Sequence, residues 1–349
     1  MQIEEIVTSV KQKQDITWEE FSYILHMQEE YCDILFAAAR ETSREHFGNT
    51  IYLRGLIEIS NYCKNDCYYC GIRRSNNMVE RYRLTKDDIM ACRDLGYSLG
   101  FRTFVMQGGE DSYYRDDLLV DILQTMKSKY PDCAVTLSLG ERSYESYKRL
   151  WEAGADRYLL RHETADRKHY ETLHPGTMSW ENRKRCLYQL KEIGYQVGCG
   201  MMVGSPYQTD EHLYKDIQFM KELMPHMIGI GPFMVHEDTP FANCKNGSVD
   251  ITLRLLALLR LLFPPVLLPA TTALGTADNK GREKGILAGA NVLMPNLSPI
   301  EVRKKYELYN DKICMGDEAA ECRQSLKERI ESIGYVIADV RGDYGEHNT

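Results

Sequence analysis

The feature that most constrains the fold is an alternation of short β-rich runs with amphipathic stretches of helical length, beginning at Ile51. Parallel strands need crossovers of this length, and eight such strands can close into a barrel. The sequence therefore predicts an α/β protein built as a (β/α)8 TIM-type barrel. The predicted strands are Ile51–Ile59, Thr103–Gln107, Ala134–Leu139, Arg157–Arg161, Gln196–Val203, Met227–Ile230, Val266–Ala270 and Asn291–Met294.

The regions on either side of the predicted barrel differ from it in pattern. Residues 1–48 carry helical periodicity and predict an N-terminal helical extension, followed by a barrel over residues 49–300. Residues 301–349 have weaker periodicity and a polar end, so we expect a C-terminal cap and a loose tail. The helices predicted between strands include Thr85–Leu99, Asp116–Lys129, Tyr144–Ala153, Trp180–Ile193 and Thr209–Leu223.

Charge and hydropathy exclude several classes of partner. The formal net charge is −8 and no sustained Lys/Arg stripe is present, which argues against nucleic acid. The acidic start lacks the pattern of an export signal, so a cytoplasmic location is expected. The leucine-rich run Leu253–Leu268 is interrupted by Arg254, Arg260 and two prolines, which indicates a buried helix leading into a strand and no membrane span.

Three cysteines follow the first predicted strand in the order Cys63-Lys-Asn-Asp-Cys67-Tyr-Tyr-Cys70. Three thiolates on one loop can hold a four-iron cluster and leave one iron without a protein ligand. The alternatives are incidental loop cysteines and a closed structural zinc site, but such a zinc site needs a fourth Cys or His, and the nearby loop has no His. The remaining cysteines in helical or strand patterns are predicted to be small buried hydrophobes: Cys32, Cys92, Cys133, Cys186, Cys199 and Cys244.

This C-x3-C-x2-C triad, with Tyr69 before its last cysteine, resembles the signature of the radical S-adenosylmethionine (SAM) superfamily. The run from Gln107 to Glu110 resembles the Gly-Gly-Glu motif that holds the SAM amino group in that superfamily, although a glycine pair can also simply turn the chain. The resemblance implies a [4Fe-4S] cluster and S-adenosyl-L-methionine as cofactors, and an electron donor such as ferredoxin or flavodoxin. One electron then cleaves SAM to a 5'-deoxyadenosyl radical.

Longer stretches resemble the HydE family of [FeFe]-hydrogenase maturases, over about Ile51 to Cys322. They are Leu137–Glu141, Gly154–Thr164, Gly229–Phe233 with the segment that continues to Pro240, and Pro269–Ala273. This resemblance implies that the radical acts on a cysteine-ligated iron carbonyl cyanide precursor during H-cluster assembly, with the maturases HydG and HydF as partners. Two alternatives stay open: a radical SAM enzyme acting on an organic amino acid or thiol, related to methylornithine synthase or biotin synthase, and a non-catalytic iron-sulfur carrier or scaffold.

The same resemblance assigns roles to individual residues. The residues expected to contact SAM are Tyr69, Gln107, Gly109, Glu110, Ser138, Glu163 and Arg183. The residues expected to line the substrate space are Arg54, Thr136, Arg161, Thr271, Thr272 and Tyr306. Alternatives are a structural Glu163–Arg183 ion pair and an outward-pointing Arg54. The segment Gly200–Gly204 is expected either beneath the adenine or in the plain core.

A departure from the family pattern concerns a second cluster. Many HydE sequences carry a C-terminal C-x7-C-x2-C motif, of which Cys314 and Cys322 fit the first two positions here and Ser325 occupies the third. A hydroxyl oxygen is a poor substitute for a thiolate on iron. We therefore expect either no stable second cluster or a labile one.

Overall fold

The computed structural model describes residues 2–313 and 319–345, without the side chains of residues 319–322. The helices are α1 (Ile3–Lys13), α2 (Trp18–His26), α3 (Cys32–Phe47), α4 (Lys86–Ser98), α5 (Asp116–Lys129), α6 (Tyr144–Glu152), α7 (Arg167–Leu173), α8 (Trp180–Ile193), α9 (Asp210–Leu223), α10 (Val249–Leu262), α11 (Thr272–Ala277), α12 (Gly281–Leu287), α13 (Ile300–Arg303) and α14 (Ala319–Ser332). The strands are β1 (Thr50–Leu53), β2 (Gly55–Ser60), β3 (Thr103–Gly108), β4 (Ala134–Ser138), β5 (Arg157–Leu159), β6 (Gln196–Cys199), β7 (Met202–Val203), β8 (Met227–Ile228), β9 (Gly231–Pro232), β10 (Val292–Leu293) and β11 (Val336–Ala338).

The strands close into a ring of eight parallel members. Six of them form one sheet in the order β2-β3-β4-β5-β6-β8. The ring continues through single parallel bridges from β8 to Leu267 and from Pro269 to β10, and β10 pairs with β1. Because β1 and β2 are consecutive parts of one strand, the circle is complete. The predicted (β/α)8 barrel is therefore confirmed, with all eight predicted strand regions in the ring.

The predicted helices between strands are also present, within a residue or two at each end. The leucine-rich run forms α10, which is buried along almost its entire length and leads into the strand segment around Leu267, as expected. Its buried Arg260 donates hydrogen bonds to the carbonyls of Pro264, Val266 and Gly289, so the guanidinium is satisfied inside the core. Within residues 2–313 and 319–345, no helix is long and apolar enough to cross a membrane.

Helices α1, α2 and α3 precede the barrel and pack against α10. Helix α2 begins at a capping box, in which Thr17 and Glu20 satisfy each other's free backbone N–H groups. The division into extension, barrel and cap stays a prediction. The cysteines predicted to be small buried hydrophobes are buried, except that Cys244 is half-buried.

The C-terminal segment adds a strand to the barrel. Strand β11 pairs in parallel with β1, so that Ile51 lies opposite Ile337, at the amino end of the barrel. Beyond β11, Asp343 forms an ion pair with buried Arg157, and Arg341 lies 3.0 Å from a carboxylate oxygen of Asp156. The expectation of a loose tail is therefore wrong for residues 341–344, because these ion pairs attach them to the ends of the barrel strands.

Candidate active site

A cavity of about 330 Å³ lies at the carboxyl ends of the barrel strands, where barrels of this kind carry their functional residues. The structure brings most of the predicted site residues to its wall. Those that line it are Cys63, Cys67, Tyr69, Cys70, Gln107, Gly109, Glu110, Ser138, Arg161, Glu163, Arg183, Thr271, Thr272 and Tyr306. From the segment Gly200–Gly204, Met202 lines the same cavity.

The cysteine loop is shaped by Arg81, which sequence reasoning missed. Its guanidinium donates to the carbonyl of Asn61, before the first cysteine, and to those of Ile72 at 2.8 Å and Asn76 at 3.0 Å, after the last. One side chain thus ties both ends of the loop together. Hydrogen bonds from a charged donor are the stronger kind, so this arrangement gives the three thiols a fixed frame.

The electrostatics of the thiols indicate what they are suited to bind. Burial, and to a smaller extent the nearby Cys63, raises the pKa of Cys70 to about 12. Burial likewise raises the pKa values of Cys63 and Cys67. Buried thiols of this kind become thiolates when a cation lies between them and compensates their charge. The thiol trio therefore has the chemistry of an iron-sulfur ligand set.

The three thiols need not converge on one point in order to hold a cluster. In the part of the chain that the structure describes, no three His, Cys, Asp or Glu side chains converge closely enough to hold a single metal ion. In a [4Fe-4S] cluster each thiolate binds a different iron, so the sulfur atoms need not converge on one point. The backbone N–H of Glu110 points at Cys63 Sγ from 3.4 Å and stabilises a negatively charged sulfur.

Gly109 permits a close approach between the loop after β3 and the cysteine loop. A Cβ atom at Gly109 would lie 2.2 Å from the carbonyl oxygen of Tyr62 and 2.7 Å from Cys63 Cβ. Any other residue would push the two loops apart. The carboxylate of the adjacent Glu110 accepts the backbone N–H of Glu141 at 3.0 Å and lies 3.0 Å from Lys64 Nζ.

Tyr69 is held by a buried histidine. His174 Nδ1 lies 3.0 Å from the carbonyl oxygen of Tyr170, so this nitrogen carries the ring proton. The other nitrogen, Nε2, then accepts the Tyr69 hydroxyl at 3.1 Å. Burial lowers the pKa of His174 to about 3, so the ring is neutral near pH 7. The direction of the Tyr69 hydroxyl is thereby fixed.

This buried imidazole predicts a pH dependence of stability. The folded pKa of His174, about 3, is below the ordinary value of 6.5, so between those two pH values the unfolded chain binds a proton that the folded chain does not. The free energy of unfolding should fall on acidification through that window, by about 1.4 kcal/mol per pH unit from this group. In iron-free anaerobic protein, urea unfolding at pH 7 and pH 5 should show a smaller loss for His174→Gln than for the unmodified chain. Equal losses would contradict the assignment.

Arg183 and Glu163 do not pair with each other. Arg183 Nε lies 2.6 Å from Glu141 Oε1, and its Nη1 donates to the carbonyl of Arg161 at 2.7 Å. Glu163 has a buried oxygen, Oε2, with no hydrogen-bond partner within the protein. An unpartnered buried carboxylate oxygen on a cavity wall is suited to accept hydrogen bonds from a ligand's hydroxyl or ammonium group. The alternative of a structural Glu163–Arg183 ion pair is therefore wrong.

The structure does not bring Arg54 and Thr136 to this cavity. They line a separate space of about 10 Å³ deeper in the barrel, where Arg54 Nη1 lies 2.7 Å from Met227 Sδ. Each residue along a strand adds about 3.3 Å, so Arg54 lies too far before the strand's carboxyl end to reach the cavity. Their expected role on the cavity wall is corrected, and the alternative of an outward-pointing Arg54 is wrong as well.

Two further wall residues were missed in the sequence. Glu58 on β2 and Lys312 form a buried ion pair, and Lys312 Nζ also donates to the carbonyl of Tyr306 at 2.8 Å. The second carboxylate oxygen of Glu58 accepts the side-chain amide of Asn296 at 2.9 Å. A glutamate within the apolar run of the first strand was a usable signal, whereas no local pattern distinguishes Lys312.

Comparison with known proteins agrees with this geometry. Residues 57–220 match the family described as the Radical SAM superfamily. The [FeFe] hydrogenase maturase subunit HydE of Thermotoga maritima is 46% identical over 302 residues, which cover 86% of each protein. The 3-methylornithine synthase of Methanosarcina acetivorans is 31% identical over 320 residues, covering 90% of this chain and 85% of that protein. The crystal structure of methylornithine synthase (PylB) has a TM-score of 0.84 at 27% identity, covering 95% of this chain and 97% of that chain.

The fold, the cysteine loop and these similarities define the class: the chain belongs to the radical SAM superfamily and is a radical SAM enzyme. Membership implies a [4Fe-4S] cluster and SAM, for which the thiols and the cavity wall provide fitting ligands. Within the superfamily, the identity shared over most of both lengths places the chain in the HydE family.

Proposed function

We propose that this enzyme is an [FeFe]-hydrogenase maturase that uses a SAM-derived radical on a cysteine-ligated iron carbonyl cyanide precursor of the H-cluster. The observation that carries the proposal is that two sets of residues line the same cavity. One set, the cysteine trio with Glu163, suits the cofactors. The other set, with Arg161 and two threonines, suits an anionic substrate. The similarity to the Thermotoga maritima maturase supports the choice of substrate.

The cofactor half of the site depends on residues that bind and orient. Cys63, Cys67 and Cys70 would hold the cluster. Glu163 and Arg183 would contact SAM, together with Gln107, Gly109, Glu110, Ser138 and Tyr69. When bound, the cluster and SAM supply a one-electron cleavage of the sulfonium C–S bond that yields a 5'-deoxyadenosyl radical. The barrel walls that surround this space would limit the access of water and oxygen to a reactive species.

The substrate half of the site carries positive charge and hydroxyl groups. Among the residues that the structure describes, no carboxylate forms an ion pair with Arg161, which lines the cavity. Thr271, Thr272 and Tyr306 add hydroxyl groups on the same wall. Such a surface favours an anionic complex, because a partly desolvated guanidinium gains most from a negatively charged partner.

The partners follow from this proposal. The iron complex would be supplied by HydG and the product passed to HydF, and an external carrier such as ferredoxin or flavodoxin would deliver the electron. A methylornithine-synthase-like activity is the second candidate, favoured by the 31% identity and the shared barrel.

A substrate competition tests the proposal. Under anaerobic conditions with dithionite and SAM, the synthetic cysteine-ligated iron complex should be consumed, and 5'-deoxyadenosine should accumulate in proportion. Lysine in its place should leave 5'-deoxyadenosine at the substrate-free level. Arg161→Met should lower kcat/KM for the iron complex by roughly tenfold to a hundredfold, the cost of losing a charged contact. Arg149 is exposed, so Arg149→Met serves as the matched control and should leave kcat/KM for the iron complex unchanged.

The outcomes separate the candidates. Turnover of lysine and not of the iron complex would replace the maturase with an amino-acid enzyme. Absence of 5'-deoxyadenosine with every substrate would support the iron-sulfur carrier instead.

A further inference from the structure

A buried histidine lies between two residues of the cavity wall. Arg161 and Glu163 face the cavity, and His162 between them points the opposite way, toward α9. Its side chain is only 1% exposed and also contacts the ring of Phe219 on α9, at 4.9 Å between centroids. His162 is therefore outside the cavity and yet directly attached to two of its wall residues.

One hydrogen bond of the His162 ring indicates where its proton lies. The backbone N–H of Gly200 points at His162 Nδ1 from 3.3 Å, so this nitrogen acts as the acceptor. The proton is therefore on Nε2. Nε2 lies 3.3 Å from Oδ1 of Asp216, a carboxylate on α9 whose side chain is fully buried; this is an electrostatic contact without hydrogen-bond geometry. The histidine and the aspartate thus face each other with complementary groups.

The same carboxylate oxygen has a second contact, on the other side of Glu163. Asp216 Oδ1 accepts the backbone N–H of Ala165. One oxygen atom of α9 is thus in contact with the chain both immediately before and shortly after Glu163. This arrangement fixes a four-residue stretch of the loop that follows β5 to a helix on the outside of the barrel.

Glu163 needs such support because its backbone is in an uncommon conformation. Its φ is +64°, in the left-handed region that non-glycine residues rarely occupy and that the surrounding structure must impose. Its N–H donates to the carbonyl of Gly200 at 3.1 Å. Gly200 therefore contacts His162 and Glu163 together, and the unpartnered Oε2 of Glu163 is held against the cavity.

We propose that Asp216 and His162 are positioning residues that hold the Glu163 carboxylate in place to bind SAM. The inference rests on the proposed function, because it assigns Glu163 to SAM. Neither residue touches the cavity, so neither is catalytic. Their loss should weaken SAM binding while leaving the cluster intact.

The test compares Asp216→Asn and His162→Gln with Glu163→Gln in the complete, cluster-loaded protein. Each removes a charge or a ring nitrogen from a buried polar contact, so each should raise KM for SAM by roughly tenfold to a hundredfold and change kcat much less. Iron content should stay unchanged. Addition of SAM to the reduced protein should shift the EPR spectrum only at correspondingly higher SAM concentrations. Asp216→Asn combined with Glu163→Gln should add little to Glu163→Gln alone, because both act through one contact.

Asp156→Asn provides the matched control, because it removes an ion-paired carboxylate at the opposite end of the barrel. It should lower stability without raising KM for SAM. A normal KM in both Asp216→Asn and His162→Gln, beside a raised KM in Glu163→Gln, would overturn the inference. An equal rise of KM for SAM in Asp156→Asn would also overturn the inference, because it would show a general loss of packing. If the unsubstituted protein showed no SAM-dependent EPR change, the proposed function itself would fail, which is a separate result.

Discussion

Replacing Cys67 by serine is expected to abolish SAM cleavage, lowering the rate of 5'-deoxyadenosine formation by roughly a thousandfold or more, because the cofactor carries the chemistry. Cys67 is one of only three thiolates on the loop, and the other two cannot hold a four-iron cluster alone. A serine hydroxyl is a hard ligand that iron-sulfur clusters bind poorly. The measurements are iron and sulfide content and 5'-deoxyadenosine formation on anaerobically reconstituted protein.

Cys186→Ser is the matched control. Cys186 is a buried cysteine on α8 that does not line the cavity, so this variant should keep both iron and activity. Persistent SAM cleavage in Cys67→Ser would contradict the assignment of the cluster ligands.

The same iron counts test the expectation of a single cluster. Cys314 lies outside the described residues, as does the side chain of Cys322, so iron content is the direct measurement. About four irons per chain in the unsubstituted protein, with almost none in Cys67→Ser, would agree with one cluster. Clearly more than four would show that the C-terminal cysteines bind a second one despite Ser325.

Lys312→Met is expected to destabilise the protein by about 3–5 kcal/mol, the usual cost of leaving one partner of a buried ion pair uncompensated. Glu58 and Lys312 have side chains only 1% and 6% exposed, so water would compensate poorly for the lost partner. The free energy of unfolding, measured by urea titration under anaerobic conditions, should fall accordingly. The cavity wall should also loosen, because Lys312 holds the Tyr306 backbone.

The double substitution Glu58→Gln with Lys312→Met is the control, since it removes both charges. It should recover much of the lost stability, because a neutral pair has no uncompensated charge. The surface substitution Lys327→Met removes an exposed lysine and should cost less than about 1 kcal/mol. If Lys312→Met lowered the free energy of unfolding no more than Lys327→Met, the buried ion pair would contribute little to stability.

Much of this fold could be predicted because local pattern determines it. Strands of the barrel are short apolar runs, and helices such as α8 and α9 have caps and amphipathic spacing, so the alternation itself indicates eight βα units. The cysteine spacing indicated an iron-sulfur site for the same reason, since all three ligands are on one loop. Residues such as Glu163 and Arg183 were identified only through the family resemblance.

The features that could not be predicted are the depth of a side chain along the barrel axis and contacts between segments far apart in sequence. The alternation along a strand indicates which side chains face inward but not how deep they lie, which is why Arg54 and Thr136 were expected beside Arg161. Lys312 and Arg81 bind atoms in other segments of the chain, and no local sequence pattern indicates those contacts. The loose-tail expectation failed because Asp343 finds its partner, Arg157, on a strand far away in sequence.

The pairing of β11 with β1 has a consequence for how this protein is made. Strand β1 is synthesised long before β11, so one of its neighbours in the structure does not exist during that interval. Contacts between such distant segments form slowly, because a very long loop has to close first. The newborn chain should therefore expose that edge of β1 until β11 has been made, and chaperone dependence should be strongest in that interval.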